Sequence, residues 1–285
     1  MTLRALRTAP LLLLLLASCG KDGGTPSFIR IGTPTAKNAD GTRIEPSAIT
    51  DFWVFANDEA IGVWQSDRRI PVLAEGITNI KLVAGVRKNG ITIDRIQYPF
   101  YATWSQDVDL NLGQETSVEP VFTFYNEPVW TDGFESTGFD YDFSLSDTTF
   151  YRFDADLDPD EVLVGDWSAG IILDADHDNF LATTVEAPSF PNGTSPTFLE
   201  IDYRSDTRFL VGVRYSLGGQ TTTLPYLFVN ATGPVGGELP WRHVYIDLGS
   251  AWVTGSINRQ FYIQAQLENG ATSGRITLDN LNVYH

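Results

Sequence analysis

The sequence predicts an all-β chain of two consecutive sandwiches, and three observations carry that prediction. Short apolar runs rich in Val, Ile, Thr, Tyr and Phe recur along the chain between turn signals. The 25 Gly and 15 Pro supply those turns. No stretch of useful length shows a helical period. A length of 285 residues with 42% hydrophobic content is enough for one or two real cores and excludes general disorder. The formal net charge of −17 repels phosphate backbones and excludes nucleic acid as a partner.

The N-terminus sets the compartment. Arg4 and Arg7 precede an apolar run, Leu11 to Ala17, that is too short to cross about 30 Å of hydrocarbon. It ends in Leu16-Ala17-Ser18-Cys19, with the only cysteine of the chain at the end. This order resembles the bacterial lipoprotein lipobox. The resemblance implies a signal peptide over 1–18, a diacylglyceryl thioether on Cys19 and acylation of the new amine. Several acyl chains on one residue give stable membrane anchoring. Gly20 follows where an aspartate would favour inner-membrane retention, which places the protein in the outer membrane, and Lys21-Asp22 resembles a charged surface-export signal. With Cys19 lipidated, no thiol remains for a disulfide or for nucleophilic catalysis.

A tether over 19–27 leads to the first sandwich, 28–126. Strands are expected over 28–31, 51–56, 61–65, 80–86, 92–98 and 118–125. Asn89-Gly90, between Val86 and Ile91, is a strong turn signal because both residues tolerate positive φ. Six or seven short strands in this length suggest an immunoglobulin-like or prealbumin-like sandwich. Trp53-Val54-Phe55, Ile61 to Trp64 and Glu75-Gly76 resemble PEGA-like modules, and Tyr98-Pro99-Phe100-Tyr101 resembles the front module of Bacteroidota lipoproteins. Modules of that kind act as spacers.

Asn126-Glu127-Pro128 closes the first unit. The second, 127–285, carries eight expected strands: 150–153, 170–173, 198–203, 209–215, 226–230, 242–248, 261–267 and 275–284. That number over this length fits a jelly roll. Asp132 to Glu135, Trp241 to Leu248 and Ile276 to Leu281 resemble galactose-binding-like jelly rolls, which include many carbohydrate-binding modules. The resemblance implies glycan as the ligand and one structural Ca2+, with Glu135 and Asp279 at the matching positions. Hard oxygen ligands near both chain ends would staple the sandwich.

Strand alternation selects a binding set. Glu200, Asp202 and Arg204 oppose Leu199, Ile201 and Tyr203. Trp241, His243 and Tyr245 oppose Val244, Ile246 and Leu248. Tyr262, Gln264 and Gln266 oppose Phe261, Ile263 and Ala265, and Arg214 lies between Val213 and Tyr215. Rings that stack on sugar faces and planar polar groups that grip hydroxyls suit a glycan.

Catalytic patterns break where the chemistry would be done. Glu200-Ile201-Asp202 resembles the start of the E-x-D-x-x-E pattern of laminarinase-like glycosidases, but Ser205 stands at the third position. Asp154-x-Asp156-x-Asp158 and Asp174-x-Asp176-x-Asp178 resemble calcium-loop openings without the closing glutamate. The three histidines form no constellation, and Gly-x-Ser-x-Gly is absent. The expectation is therefore a non-catalytic lipoprotein that binds glycan through its jelly roll. A structural or protein-interaction lipoprotein is the alternative, and a glycan hydrolase is a minor third.

Overall fold

The computed structural model describes residues 24–185 and 195–285. The lipobox and Cys19 lie outside the described residues. The chain is all-β, with 22 strands and two single-turn 3-10 helices, Pro159–Glu161 and Leu248–Ser250, among the described residues.

The front unit holds β1 (Ser27–Ile31), β2 (Thr35–Lys37), β3 (Ile44–Glu45), β4 (Asp51–Ala56), β5 (Glu59–Gln65), β6 (Arg69–Val72), β7 (Gly76–Arg87), β8 (Arg95–Gln97), β9 (Trp104–Leu110), β10 (Glu115–Val118) and β11 (Val121–Thr123). One sheet runs β5-β4-β7-β8, with β9 also paired to β7. Two three-stranded sheets, β10-β1-β6 and β11-β2-β3, complete the unit. β1 runs parallel to β10, and β2 parallel to β11. Alternation works as expected in β7, where Ile80, Leu82, Ala84 and Val86 are buried. At the far end of β7, Asn89 and Gly90 adopt φ of 56° and 67°, and Ile91 N–H donates to the Lys88 carbonyl at 3.0 Å. This is the tight turn that Asn-Gly favours.

The back unit holds β12 (Trp130–Asp132), β13 (Tyr141–Asp142), β14 (Tyr151–Asp154), β15 (Trp167–Leu173), β16 (Asn179–Thr184), β17 (Phe198–Ser205), β18 (Phe209–Leu217), β19 (Gln220–Val229), β20 (Arg242–Asp247), β21 (Ile257–Gln266) and β22 (Gly274–Tyr284). They form two antiparallel sheets. The inner sheet, β14-β15-β22-β17-β20 with β12 beside β22, faces the outer sheet, β13-β16-β21-β18-β19. Leu199, Ile201, Val211, Val213, Ile246, Phe261, Ile263 and Leu278 interlock between them as a jelly-roll core.

The two units share a core. Phe198, Tyr245 and Tyr284, on the outward face of the inner sheet, pack into the hydrophobic cluster of the front unit. Tyr98 meets Tyr245 at 4.7 Å and Phe198 at 5.4 Å between ring centroids, and Phe124 stacks on Tyr284 at 4.4 Å. Asn89 donates its backbone N–H to the Tyr245 carbonyl at 2.7 Å and accepts from Asp247 N–H at 2.9 Å. The front unit is therefore packed against the jelly roll over a buried aromatic wall, which a freely jointed spacer would lack.

Candidate functional site

A sheet face can receive a ligand only where nothing else covers it, so the coverage of each jelly-roll sheet decides which expected residues are available. On the inner sheet, alternation turns Glu200, Asp202, Arg204, His243 and Tyr245 away from the jelly-roll core, as expected. Much of that face does not meet water. The front unit covers Glu200, Asp202 and Tyr245, each only 1% exposed. His243 lies between the acids, with Nδ1 2.8 Å from Asp202 Oδ1 and Nε2 3.1 Å from Glu200 Oε2. Tyr98 of the front unit donates its hydroxyl to Glu200, and Asn280 Nδ2 donates to Asp202 Oδ2 at 2.9 Å. Ala48 N–H donates to the Tyr245 hydroxyl at 3.1 Å. Burial alone would depress the imidazole. The charges and hydrogen bonds of Asp202 and Glu200 overcome it and hold His243 at about 10, protonated at neutral pH.

Part of the remaining face is covered by the loop between β14 and β15, and a groove of ≈ 480 Å³ lined by Ser47, Thr50, Arg87, Trp241 and His243, among others, stays open beside the front unit. Trp241 Nε1 donates to the Asp160 carbonyl at 3.2 Å, and Arg204 donates to the same oxygen. Arg204 and Arg275 both face Glu161, at 3.5 and 3.0 Å. Six expected binding residues, Glu200, Asp202, Arg204, Trp241, His243 and Tyr245, thus build internal contacts. The physical reason is that polar, outward-facing residues can be covered by another part of the chain that supplies complementary groups. The same burial closes the Glu200–Asp202 pair to a sugar, since both carboxylates are sealed against an imidazolium.

Glu135 and Asp279 hold one loop, as the expected calcium would, but with different partners. Asp279 Oδ2 accepts from Leu163 and Val164 N–H at 2.8 and 2.9 Å. Glu135 Oε1 accepts from Asp166 and Trp167 N–H at 3.0 and 3.2 Å. Gly165, at φ 78°, lets the loop pass over Glu135, where a Cβ would overlap the carboxylate. Asp279 Oδ1 is buried without a hydrogen-bond partner, and among the described residues no group of three His, Cys, Asp or Glu converges on a metal position. Burial raises Asp279 to about 7 against the pull of the Val164 and Leu163 amides.

Among the described residues, the outward face of the outer sheet is the more open one. Cross-strand register places Leu210 opposite both Phe228 and Gln264, Gly212 opposite Tyr262, and Asn179 opposite Gln266. At one end of this face lies an open groove of ≈ 520 Å³ lined by Arg208, Leu210, Phe228, Gln264, Gln266 and Glu268, among others. Phe228 is 58% exposed. The Arg208 guanidinium lies 5.1 Å from its ring centroid and pairs with Glu268 at 3.3 Å. Phe228 and Leu210 give an apolar floor, while two amides and a preformed ion pair give planar donors and acceptors around it.

Of the expected set, Gln264 and Gln266 line this groove. Arg214 lies on the same face farther along β18, opposite Gln260. Tyr262 is on the face but only 4% exposed, because its ring lies down over Gly212, where any Cβ would overlap it. The glycine leaves a notch that the neighbouring ring fills. Phe228, Leu210, Arg208 and Glu268 were missed. Alternation through Tyr226 to Val229 would have turned Phe228 outward, but which strand lies beside β18 cannot be read from one sequence.

No protein-family model matches the sequence, and no curated protein matches it. Among solved structures, the chain is similar to the carbohydrate-binding module TmCBM61 in complex with beta-1,4-galactotriose, at 14% identity and a TM-score of 0.32 over 48% of this chain and 81% of that one. It is also similar to CBM28, a non-crystalline-cellulose-specific carbohydrate-binding module, at 13% identity and a TM-score of 0.35 over 51% of this chain and 87% of that one. A third is the family 30 carbohydrate-binding module of a Clostridium thermocellum cellulosomal cellulase, at 13% identity and a TM-score of 0.32 over 56% and 92%.

Proposed function

We propose that the protein is a non-catalytic, glycan-binding lipoprotein of the outer membrane, anchored by lipid on Cys19. The sugar lies in the groove over Phe228. The observation that supports this reading is the coverage of the two sheets. One outward face is largely covered by the front unit and the β14–β15 loop. The other is open and carries an exposed aromatic ring ringed by Gln264, Gln266, Arg208 and Glu268. Apolar C–H faces of a pyranose suit the ring, and its hydroxyls suit the amides. Glu268 already neutralises Arg208, which favours an uncharged glycan over an acidic one.

The test is a glycan array with the unlipidated chain 20–285, which keeps both units together. Binding should appear for a neutral oligosaccharide, and Phe228→Ala should weaken it at least about tenfold, the equivalent of about 1.4 kcal/mol. A chain that retains no glycan, or a Phe228→Ala variant that binds as well as the parent, refutes the assignment. Capture of a protein partner in place of glycan would move the interaction-lipoprotein reading ahead.

A further inference from the structure

The end of the front unit remote from the jelly roll carries apolar side chains that its internal packing does not use. β7 runs the length of this unit. Its last residue, Arg87, leads into Lys88 and Asn89, which meet Tyr245 of the jelly roll. Its first, Gly76, lies at the opposite end. Twelve residues of strand span about 36 Å at about 3.3 Å per residue.

Three turns meet at the Gly76 end, beside the start of the described chain. Ser27 pairs with Val72 and donates its hydroxyl to the Ala74 carbonyl at 2.7 Å. Gly113 N–H donates to the Pro26 carbonyl at 2.9 Å. Leu73 is 77% exposed, Ile77 71% and Leu112 47%. A groove of ≈ 700 Å³, lined by Gly24, Pro26, Ile61, Pro71, Leu73 and Ala74 among others, opens between the β5 and β6 edges there. Gly24 is five residues from Cys19, a reach of at most about 18 Å.

We infer that this apolar tip, centred on Leu73 and Leu112, inserts into the hydrocarbon boundary of the bilayer that holds the Cys19 lipid. The inference rests on the lipid anchor proposed above. That anchor leaves too little chain for the tip to stand clear of the membrane by more than the short reach from Cys19 to Gly24. Exposed Leu and Ile gain by leaving water, and a bilayer is the apolar phase the anchor brings within range. Charge narrows the choice of surface. Asp58, Glu59, Glu75 and Asp109 surround the tip, and Lys81 is already paired with Asp58. The contact therefore favours an uncharged lipid surface and is weakened by anionic lipid.

The full lipidated protein in phosphatidylcholine vesicles provides the test. Spin labels are placed by Leu73→Cys, Leu112→Cys and Ile93→Cys, the last at the jelly-roll end and 89% exposed. Labels at 73 and 112 should shift toward collision with oxygen and away from a water-soluble nickel chelate, with no shift at 93. A second variant, Leu73→Glu with Leu112→Glu, should keep vesicle flotation and lose the shift of a label at Ile77. If the protein floats with the vesicles while 73 and 112 behave as 93 does, the tip inference is overturned and the anchor stands. If the protein does not float at all, the anchor fails and the tip inference falls with it.

Discussion

Nδ1 of His243 lies 2.8 Å from Oδ1 of Asp202, inside the contact between the two units, with the imidazole almost wholly buried. The imidazolium offsets two acids that the jelly roll presents to the front unit. Without it, Glu200 and Asp202 would be buried like charges with no cation between them. Replacing one partner of such a buried pair costs about 3–5 kcal/mol, most of it the penalty of the group left behind.

Stability should therefore depend on pH through His243. Its folded value of about 10 is raised above the ordinary 6.5. The contribution is complete below about pH 6.5 and is lost as pH rises toward 10. The melting temperature should fall over that window in the parent protein, and His243→Gln should be less stable at pH 6 with a flatter profile. Equal slopes in the two proteins would rule the network out as the cause.

Asp279 gives a second, separate window. Its folded value of about 7 stands above the ordinary 3.8, so the fold favours the protonated carboxyl. Stability is lost as pH rises from about 4 to 7. Asp279→Asn keeps an oxygen for the Leu163 and Val164 amides and removes the charge. It should equal or exceed the parent at pH 8, as thermal melts at pH 4 and pH 8 would show. A marked loss at pH 8, or a fall in melting temperature on adding chelator, would instead show that the carboxylate charge is needed there.

On the open face, Gly212→Ala would push the Tyr262 ring off the sheet. Overpacking of this kind costs about 1–3 kcal/mol. Denaturant unfolding should show that loss. Because Tyr262 lies beside Gln264 on the strand that lines the groove, glycan affinity should fall as well, whereas Tyr262→Ala with Gly212→Ala should recover part of the stability.

The Asn89 turn separates backbone from side-chain effects. Asn89→Gly keeps the positive φ and loses the bonds to Asp247 N–H and the Tyr226 hydroxyl, each worth about 0.5–1.5 kcal/mol. Asn89→Ala loses the same bonds and adds about 1–2 kcal/mol of left-handed strain. Chemical denaturation should rank parent, glycine and alanine variants in that order, and an alanine variant as stable as the glycine one would contradict it.

Local pattern carried the strands, and long-range pairing hid the site. Asp51–Ala56 is a strand at the expected bounds, and 198–203, 242–248 and 275–284 fall on β17, β20 and β22, because periodicity and β-branched content are local properties. β9, with Trp104-Ser105-Gln106-Asp107, was missed because its first four residues are half-buried or exposed and give no apolar alternation. β16 was missed because Thr183 and Thr184, buried at 5% and 1%, read as polar. Alternation also gave the correct outward side chains on both jelly-roll sheets. It could not tell that one outward face would meet Tyr98 and Tyr101 while the other met solvent, since that depends on how distant segments dock. Gln264 and Gln266 were found and Phe228 was not for the same reason.

The aromatic wall around Tyr98 and Tyr245 bears on how such a chain can be cut and recombined. Severing it near residue 127 would leave Phe198, Tyr245 and Tyr284 facing water and Glu200 without the Tyr98 hydroxyl. The excised jelly roll would be sticky, and the front piece would have lost three rings from its interior. The jelly roll and the front unit are obliged to travel together. Any recombination that exchanges the jelly roll must bring along the matching wall, so change on its outer sheet is easier to reach by altering β18, β19 and β21 in place than by swapping whole units.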